Sequence, residues 1–171
     1  MTQPRHRDVW ITGVGLVSSL GEGADAHWEA MTSGAPAVLD TQSFAPYPIH
    51  PLAPVDYSSQ IPKRGDQRQM EDWQRIGTYA AGLALDDAGL KNDEALLERT
   101  DMIVAAGGGE RDAAVDSAIM TQLPGDGGDE HRLNARLSNE LRPTLFLAQL
   151  PNLLAGNISI VHKVTGSSRT L

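Results

Sequence analysis

Residues 8–15 read Asp8-Val9-Trp10-Ile11-Thr12-Gly13-Val14-Gly15. The first five residues of this stretch are mostly apolar, aromatic or β-branched, a composition that favours a β-strand. Gly13 and Gly15 are typical of the point at which a buried strand turns into a loop. The stretch therefore predicts a first strand that ends at the two glycines.

The residues that follow predict a helix and then a long loop. Residues 24–34 place Trp28 and Met31 on one helical face, and Gly34 is a suitable C-terminal stop. Proline recurs throughout residues 35–62, and proline interrupts both helices and the interior of sheets. This part of the chain is predicted to be an extended loop with, at most, short edge strands.

A second, longer helix is predicted from about Asp66 to Ala88, with Gly89 as its stop. Apolar and small side chains recur here at spacings of three and four residues, which is the helical period. They are Met70, Trp73, Gly77, Ala80, Ala81, Ala84 and Ala88. Since most of them are small, the helix is expected to pack closely against a neighbour.

The continuous apolar stretch 101–106, followed by the glycines at 107–109, predicts a second buried strand. Strand, helix and strand therefore alternate, as they do in a parallel α/β sheet. Further helices are predicted at 110–122 and 130–141, with a loop at 124–129 between them.

Residues 145–161 are apolar almost all round, so a helix there has to be buried on most sides. The stretch is short and contains Gln149, Pro151 and Asn152, which makes it unsuitable as a membrane span and predicts that protein covers it. The last residues, 166–171, are expected to open a further strand.

Composition excludes several classes of protein. The 171 residues carry 22 acidic and 14 basic side chains, a net charge of −8, and no cysteine. Among these residues there is therefore no disulfide framework, no thiolate zinc site and no cysteine nucleophile. The acidic balance disfavours nucleic acid as a partner. The length is that of a single domain, which is expected to span residues 1–171. The N-terminal residues match neither a signal peptide nor a membrane span, so a location in the cytoplasm is expected.

Two stretches of the sequence suggest a dinucleotide site and a metal site, but a simpler interpretation is favoured for each. Residues 13–18 imitate a dinucleotide-binding loop, but Ser18 replaces the third glycine and the acidic residue expected after a second strand is missing. Potential metal ligands are Asp126, Asp129, Glu130 and His131. Their spacing is not that of a calcium loop, and a solvated loop with a helix cap is favoured. No metal or cofactor is predicted, and each of the five histidines is expected at the surface or with its hydrogen bonds satisfied.

One cluster of charges has two open interpretations. Lys63, Arg64 and Arg68 surround the start of the long helix in an otherwise acidic chain, and Arg75 extends the same side two turns further on. The cluster is either a solvated helix face or a docking patch for an acidic macromolecule. A local positive field can dominate a close encounter even when the total charge is unfavourable.

Several segments follow one another in a recognisable order. They are Val9-Trp10-Ile11-Thr12-Gly13-Val14-Gly15-Leu16-Val17-Ser18, Trp28-Glu29-Ala30-Met31-Thr32-Ser33-Gly34, Asp66-Gln67-Arg68-Gln69-Met70-Glu71, Ala88-Gly89-Leu90 and Asn152-Leu153-Leu154-Ala155-Gly156-Asn157-Ile158. Together they resemble the N-terminal half of a β-ketoacyl-acyl-carrier-protein synthase, a condensing enzyme of the thiolase superfamily. The resemblance spans nearly the whole chain.

The resemblance implies an α/β fold: a thiolase-like half fold with a mixed sheet of the five-stranded type and helices on both faces. It implies decarboxylative Claisen condensation of an acyl thioester with malonyl carrier protein, in fatty-acid or polyketide synthesis. The cysteine that holds the acyl chain would stand a few residues beyond Leu171, and two histidines of the family's second half would hold the thioester carbonyl. No catalytic residue is therefore assigned within the chain.

The resemblance also implies partners. Lys63, Arg64 and Arg68 become candidate residues for binding acyl carrier protein, with the best match at Arg68, and a homodimer or a heterodimer with another synthase subunit is expected. Two departures from the family pattern are the charged residues 110–112, which would lie near an acyl tunnel, and Arg169, which interrupts an apolar strand. Two functions stay open: a divergent synthase, or a noncatalytic partner subunit that sets chain length or binds carrier protein.

Overall fold

The structure is a computed structural model that describes residues 8–107, 109, 111–121 and 130–171. The helices are α1 (Gly23–Thr32), α2 (Arg64–Gln69), α3 (Asp72–Asp87), α4 (Glu94–Leu97), α5 (Ala113–Thr121), α6 (Glu130–Glu140), α7 (Leu145–Ala148) and α8 (Asn152–His162). The strands are β1 (Val17–Ser18), β2 (Gly21–Glu22), β3 (Met102–Val104) and β4 (Ser168–Thr170), and a 3₁₀ turn spans Tyr57–Ser59. The predicted helices at 24–34, 110–122 and 130–141 thus correspond to α1, α5 and α6.

Within the described ranges the strands form two separate two-stranded sheets. β1 and β2 make an antiparallel hairpin, whereas β3 and β4 pair in parallel, with Met102 opposite Ser168 and Val104 opposite Thr170. The α/β character and the strand at 166–171 are confirmed. The five-stranded sheet is not confirmed, because the described residues form only these two small sheets.

Residues 8–12 do not form the predicted first strand. Val9, Trp10 and Ile11 are between 81% and 93% exposed. A strand needs a neighbour to satisfy its backbone N–H and C=O groups, and none of the described strands pairs with this segment. High β-propensity was therefore not enough to predict a strand here, since that propensity reflects packing on a sheet.

The predicted helix from Asp66 to Ala88 is interrupted. Met70 has an extended backbone (φ −92°, ψ 137°), which separates α2 from α3. Glu71 then caps α3, and its N–H donates to Gln74 Oε1 at 3.2 Å. The apolar period continues through the break, so the period alone gave no sign of it.

The predicted helix at 145–161 is also interrupted, at Pro151, which stands at the N-cap of α8. Leu154, Ala155 and Ile158 are buried, but Ile160 is 60% exposed and Leu147 is 49% exposed. The expectation that this stretch is buried on most sides is wrong for those two side chains. No described helix is long and apolar enough to cross a membrane.

The core lies where α8 packs against α3 and β3. It contains Leu97, Val104, Leu154, Ala155, Ile158 and Val164, with Trp73, Ala81, Leu85, Met102 and Ala106 packed around it. The small side chains of α3 allow the expected close contact, because Gly13 and Gly15 lie directly against Ala80, Ala84 and Ala88. The first glycine-rich segment thus docks on a helix.

Candidate functional site

The short helix α2 carries the candidate docking residues, and local contacts fix where it begins. Pro62 and the extended Lys63 lead into the helix. Gln67 Nε2 donates to the carbonyl oxygen of Ile61 at 2.6 Å, and the Ile61 side chain is fully buried. The first turn of α2 is therefore anchored to the body of the protein.

Lys63, Arg64 and Arg68 are all exposed on α2 or at its start. Arg64 and Arg68 are four residues apart and so lie on one helical face. None of the three side chains forms a hydrogen bond or ion pair with any residue in the part of the chain that the structure describes. The structure therefore places the three predicted cations together, without an ion-pair partner among the described residues.

Arg75 does not extend this cluster. Its guanidinium pairs with Asp72 and lies over the ring of Tyr57, 5.8 Å from the ring centroid. Its charge is partly neutralised and its side chain is held against the protein, which leaves the cluster as Lys63, Arg64 and Arg68.

A cavity of about 510 Å³ opens beside Arg68, between the α2–α3 junction and the α7–α8 segment. Its lining includes the apolar side chains of Leu147, Ala148 and Leu153. Across it, Arg142 donates to both carboxylate oxygens of Glu71, at 2.7 Å and 3.1 Å. This ion pair joins the start of α3 to the segment before α7.

Gln74 borders the same cavity and is only 2% exposed. Its Oε1 accepts from Glu71 N and, at 3.3 Å, from Asn157 Nδ2, whereas its Nε2 has no hydrogen-bond partner among the described residues. An unpartnered buried amide costs free energy. The sequence analysis does not single out Gln74. The signal that could have identified it is a glutamine three residues before Gly77, on the helix face that carries small and apolar side chains.

A second polar cluster lies near the C-terminal end of α3. His162 is 5% exposed, and its Nε2 donates to Thr78 O at 2.8 Å. Burial lowers the pKa of His162 below its usual value; the bond to Thr78 and the nearby Asp86 act against this, and Lys91 reinforces it. Burial opposes ionisation of Asp86, but bonds from Lys91 and Gln60, both at 2.7 Å, hold its pKa below the usual range.

His27, His50 and His162 form hydrogen bonds through their ring nitrogens, as expected. His162 has the bond to Thr78, and His27 donates from Nδ1 to Gly23 O at 2.7 Å while its Nε2 accepts from Ser18 Oγ at 2.8 Å. His50 Nδ1 donates to Val38 O at 3.1 Å. His131 lies in α6, and His6 lies outside the described residues.

The charged departures from the family pattern lie at the surface. Arg111 is exposed and donates two 2.7 Å hydrogen bonds to Asp116, and Asp112 accepts from Val115 N at 3.1 Å at the start of α5. Arg169 is exposed in β4, so this arrangement does not bury an unpaired guanidinium. Glu110 lies outside the described residues.

The metal interpretation of residues 126–131 falls largely outside the described residues. The structure describes 130 and 131 but not 126–129. Elsewhere, the described part of the chain contains no group of three or more histidine, aspartate or glutamate side chains that could hold a metal ion.

Helices packed on a pair of short parallel strands place this chain among the α/β proteins, and its fold resembles that of two ketosynthases. It superposes on the crystal structure of a beta-ketoacyl synthase from Burkholderia phymatum STM815 with a TM-score of 0.64, at 20% identity over 94% of this chain and 38% of that one. It superposes on the ishigamide ketosynthase/chain length factor with a TM-score of 0.63, at 21% identity over the same shares.

The sequence defines the family more closely. The family model described as "Beta-ketoacyl synthase, N-terminal domain" matches residues 6–171, and the chain belongs to this family. It is 25% identical to 3-oxoacyl-[acyl-carrier-protein] synthase 2 of Vibrio harveyi over 94% of this chain, and 26% identical to the protein of the same name from Rhizobium meliloti (strain 1021) over 96%. The chain spans 37% and 39% of the length of these relatives.

Proposed function

We propose that this chain is the N-terminal part of a divergent 3-oxoacyl-[acyl-carrier-protein] synthase that works as a dimer in fatty-acid or polyketide synthesis. Its family and the names of its curated relatives support the synthase over the noncatalytic partner subunit. The reaction would join an acyl chain, held as a thioester, to the carbanion left when a malonyl thioester loses CO₂. The 171 residues contain no cysteine, so the role proposed for them is to bind the carrier protein.

The observation that carries the proposal is the free positive charge on α2. Lys63, Arg64 and Arg68 are exposed and unpartnered among the described residues, in a chain whose net charge is −8. Such a patch attracts the negative charge of an acidic partner, such as a carrier protein, over roughly 10 Å at moderate salt. The anchoring of α2 through Ile61 holds these cations in place before the encounter.

Reversing two of the three charges tests this docking role. The Lys63→Glu/Arg68→Glu variant is expected to bind acyl carrier protein about tenfold more weakly than the unsubstituted chain, with a flatter dependence of affinity on salt. Both side chains are exposed, so the fold should be kept. Titration of the carrier protein at low and high salt measures both quantities.

A matched control carries the same change in net charge elsewhere. Arg99→Glu/Arg169→Glu replaces two cations that are exposed and lie outside α2. It should lower the affinity for carrier protein much less than the α2 variant does. Equal losses in the two double variants would mean that only the total charge matters, and the docking role would have to be abandoned.

A further inference from the structure

The cavity beside Arg68 combines one free cation with apolar side chains. Arg68 lies at its edge without a partner among the described residues, and Leu147 and Leu153 form part of its lining. Its volume of about 510 Å³ falls in the range of small-molecule sites. These features favour a ligand that has both a negative charge and an aliphatic part.

The charge balance indicates a single negative charge on the ligand. The other cation that lines the cavity, Arg142, donates two hydrogen bonds to Glu71, which lines it as well. These two charges offset each other, so Arg68 contributes the net charge of the site. A planar guanidinium binds a carboxylate through two parallel hydrogen bonds.

A buried polar side chain beside the cavity also has an atom without a hydrogen-bond partner among the described residues. Gln74 is buried at the cavity, and its Nε2 lacks a partner among the described residues. Folding leaves a buried N–H in this state only at a cost. The amide nitrogen itself has almost no accessible surface, so a carboxylate oxygen in the cavity reaches it only if the Gln74 side chain turns.

We propose that this cavity binds an amphipathic monocarboxylate of medium chain length, with its carboxylate at Arg68 and its aliphatic chain against Leu147 and Leu153. The site is separate from the proposed condensation chemistry and does not depend on it. It shares Arg68 with the carrier-docking patch, so a bound carboxylate would compete with carrier protein for that side chain.

Sodium octanoate, used below its micelle-forming concentration, is the probe. Calorimetric titration of the full chain should show saturable binding at one site. Arg68→Gln should weaken that binding about tenfold, since a charge-assisted hydrogen bond is lost. Arg64→Gln is the matched control, because Arg64 is exposed on the same helix but does not line the cavity, and its affinity for octanoate should stay within about twofold of that of the unsubstituted chain.

Two further ligands separate the parts of the proposal. Acetate, which has no aliphatic chain, and 1-octanol, which has no charge, should each bind at least tenfold more weakly than octanoate. The side-chain amide resonances of Gln74 should shift when octanoate is added. The proposal is overturned if Arg68→Gln binds octanoate as tightly as the unsubstituted chain, if 1-octanol binds as well as octanoate, or if octanoate binding does not saturate. Failure here would leave the carrier-protein titrations unaffected.

Discussion

The Gly15→Ala variant is expected to be less stable than the unsubstituted chain by about 3 kcal/mol, measured as a lower midpoint of urea denaturation. A Cβ added at Gly15 would stand 2.7 Å from Ala84 N and closer still to the carbonyl oxygen of Ala80. Both atoms belong to the backbone of α3, which cannot rotate away as a side chain can. Accommodating the methyl group would separate the glycine-rich segment from α3.

Gly156→Ala makes the same chemical change where there is room for it. Apart from the two neighbouring residues and the backbone of α8 itself, no atom of the described residues lies within 4 Å of a Cβ at this exposed position. Alanine is favoured over glycine inside a helix by up to about 1 kcal/mol, so this variant should be as stable as the unsubstituted chain or slightly more stable. Equal midpoints for Gly15→Ala and the unsubstituted chain would contradict the close docking of residues 13–15 on α3.

The free energy of unfolding is expected to fall as the pH drops below about 6.5, the usual pKa of a histidine. Burial lowers the pKa of His162 in the folded state, so between that lowered value and 6.5 the unfolded chain binds a proton that the folded chain does not. Stability therefore rises with pH in this window, by up to about 1.4 kcal/mol per pH unit, and is unaffected by this group above it. Urea denaturation at a series of pH values measures the slope.

His162→Gln is the variant that isolates this group. A glutamine at 162 has an amide that can donate to Thr78 O in place of the imidazole, but it does not titrate. The variant should be less stable near pH 7.5 and should show a flatter dependence of stability on pH below 6.5. If the two chains lose stability with the same slope, another group causes the acid sensitivity.

Much of the local structure could be predicted from the sequence, because local signals determine it. Gly34 and Gly89 adopt positive φ values of 68° and 69° after α1 and α3, as expected of C-terminal stops. The break at Met70 could not be read from periodicity, since it depends on the capping of α3 by Glu71 and Gln74. The prediction of a strand at residues 8–12 was wrong because composition favours a strand there, but a strand also requires a neighbouring strand to pair with.

The candidate site also has a part that the sequence predicts and a part that it does not. Lys63, Arg64 and Arg68 could be singled out because they are adjacent in sequence and contrast with an acidic chain. The cavity could not be predicted, because it joins residues distant in sequence; Glu71 and Arg142 are 71 residues apart. The close packing of α3 was predicted from its small residues, but its partner segments at Gly13 and Gly15 and at Leu154 were not.

The helix α2 is the surface proposed to meet the carrier protein. The direct measurement is a two-dimensional ¹H–¹⁵N spectrum of the labelled full chain during titration with unlabelled acyl carrier protein at low salt, repeated at high salt. We expect the largest shifts in the amide resonances of residues 63–69, with smaller shifts at high salt because screening weakens the attraction. Saturable binding that leaves the resonances of residues 63–69 unchanged would contradict the account.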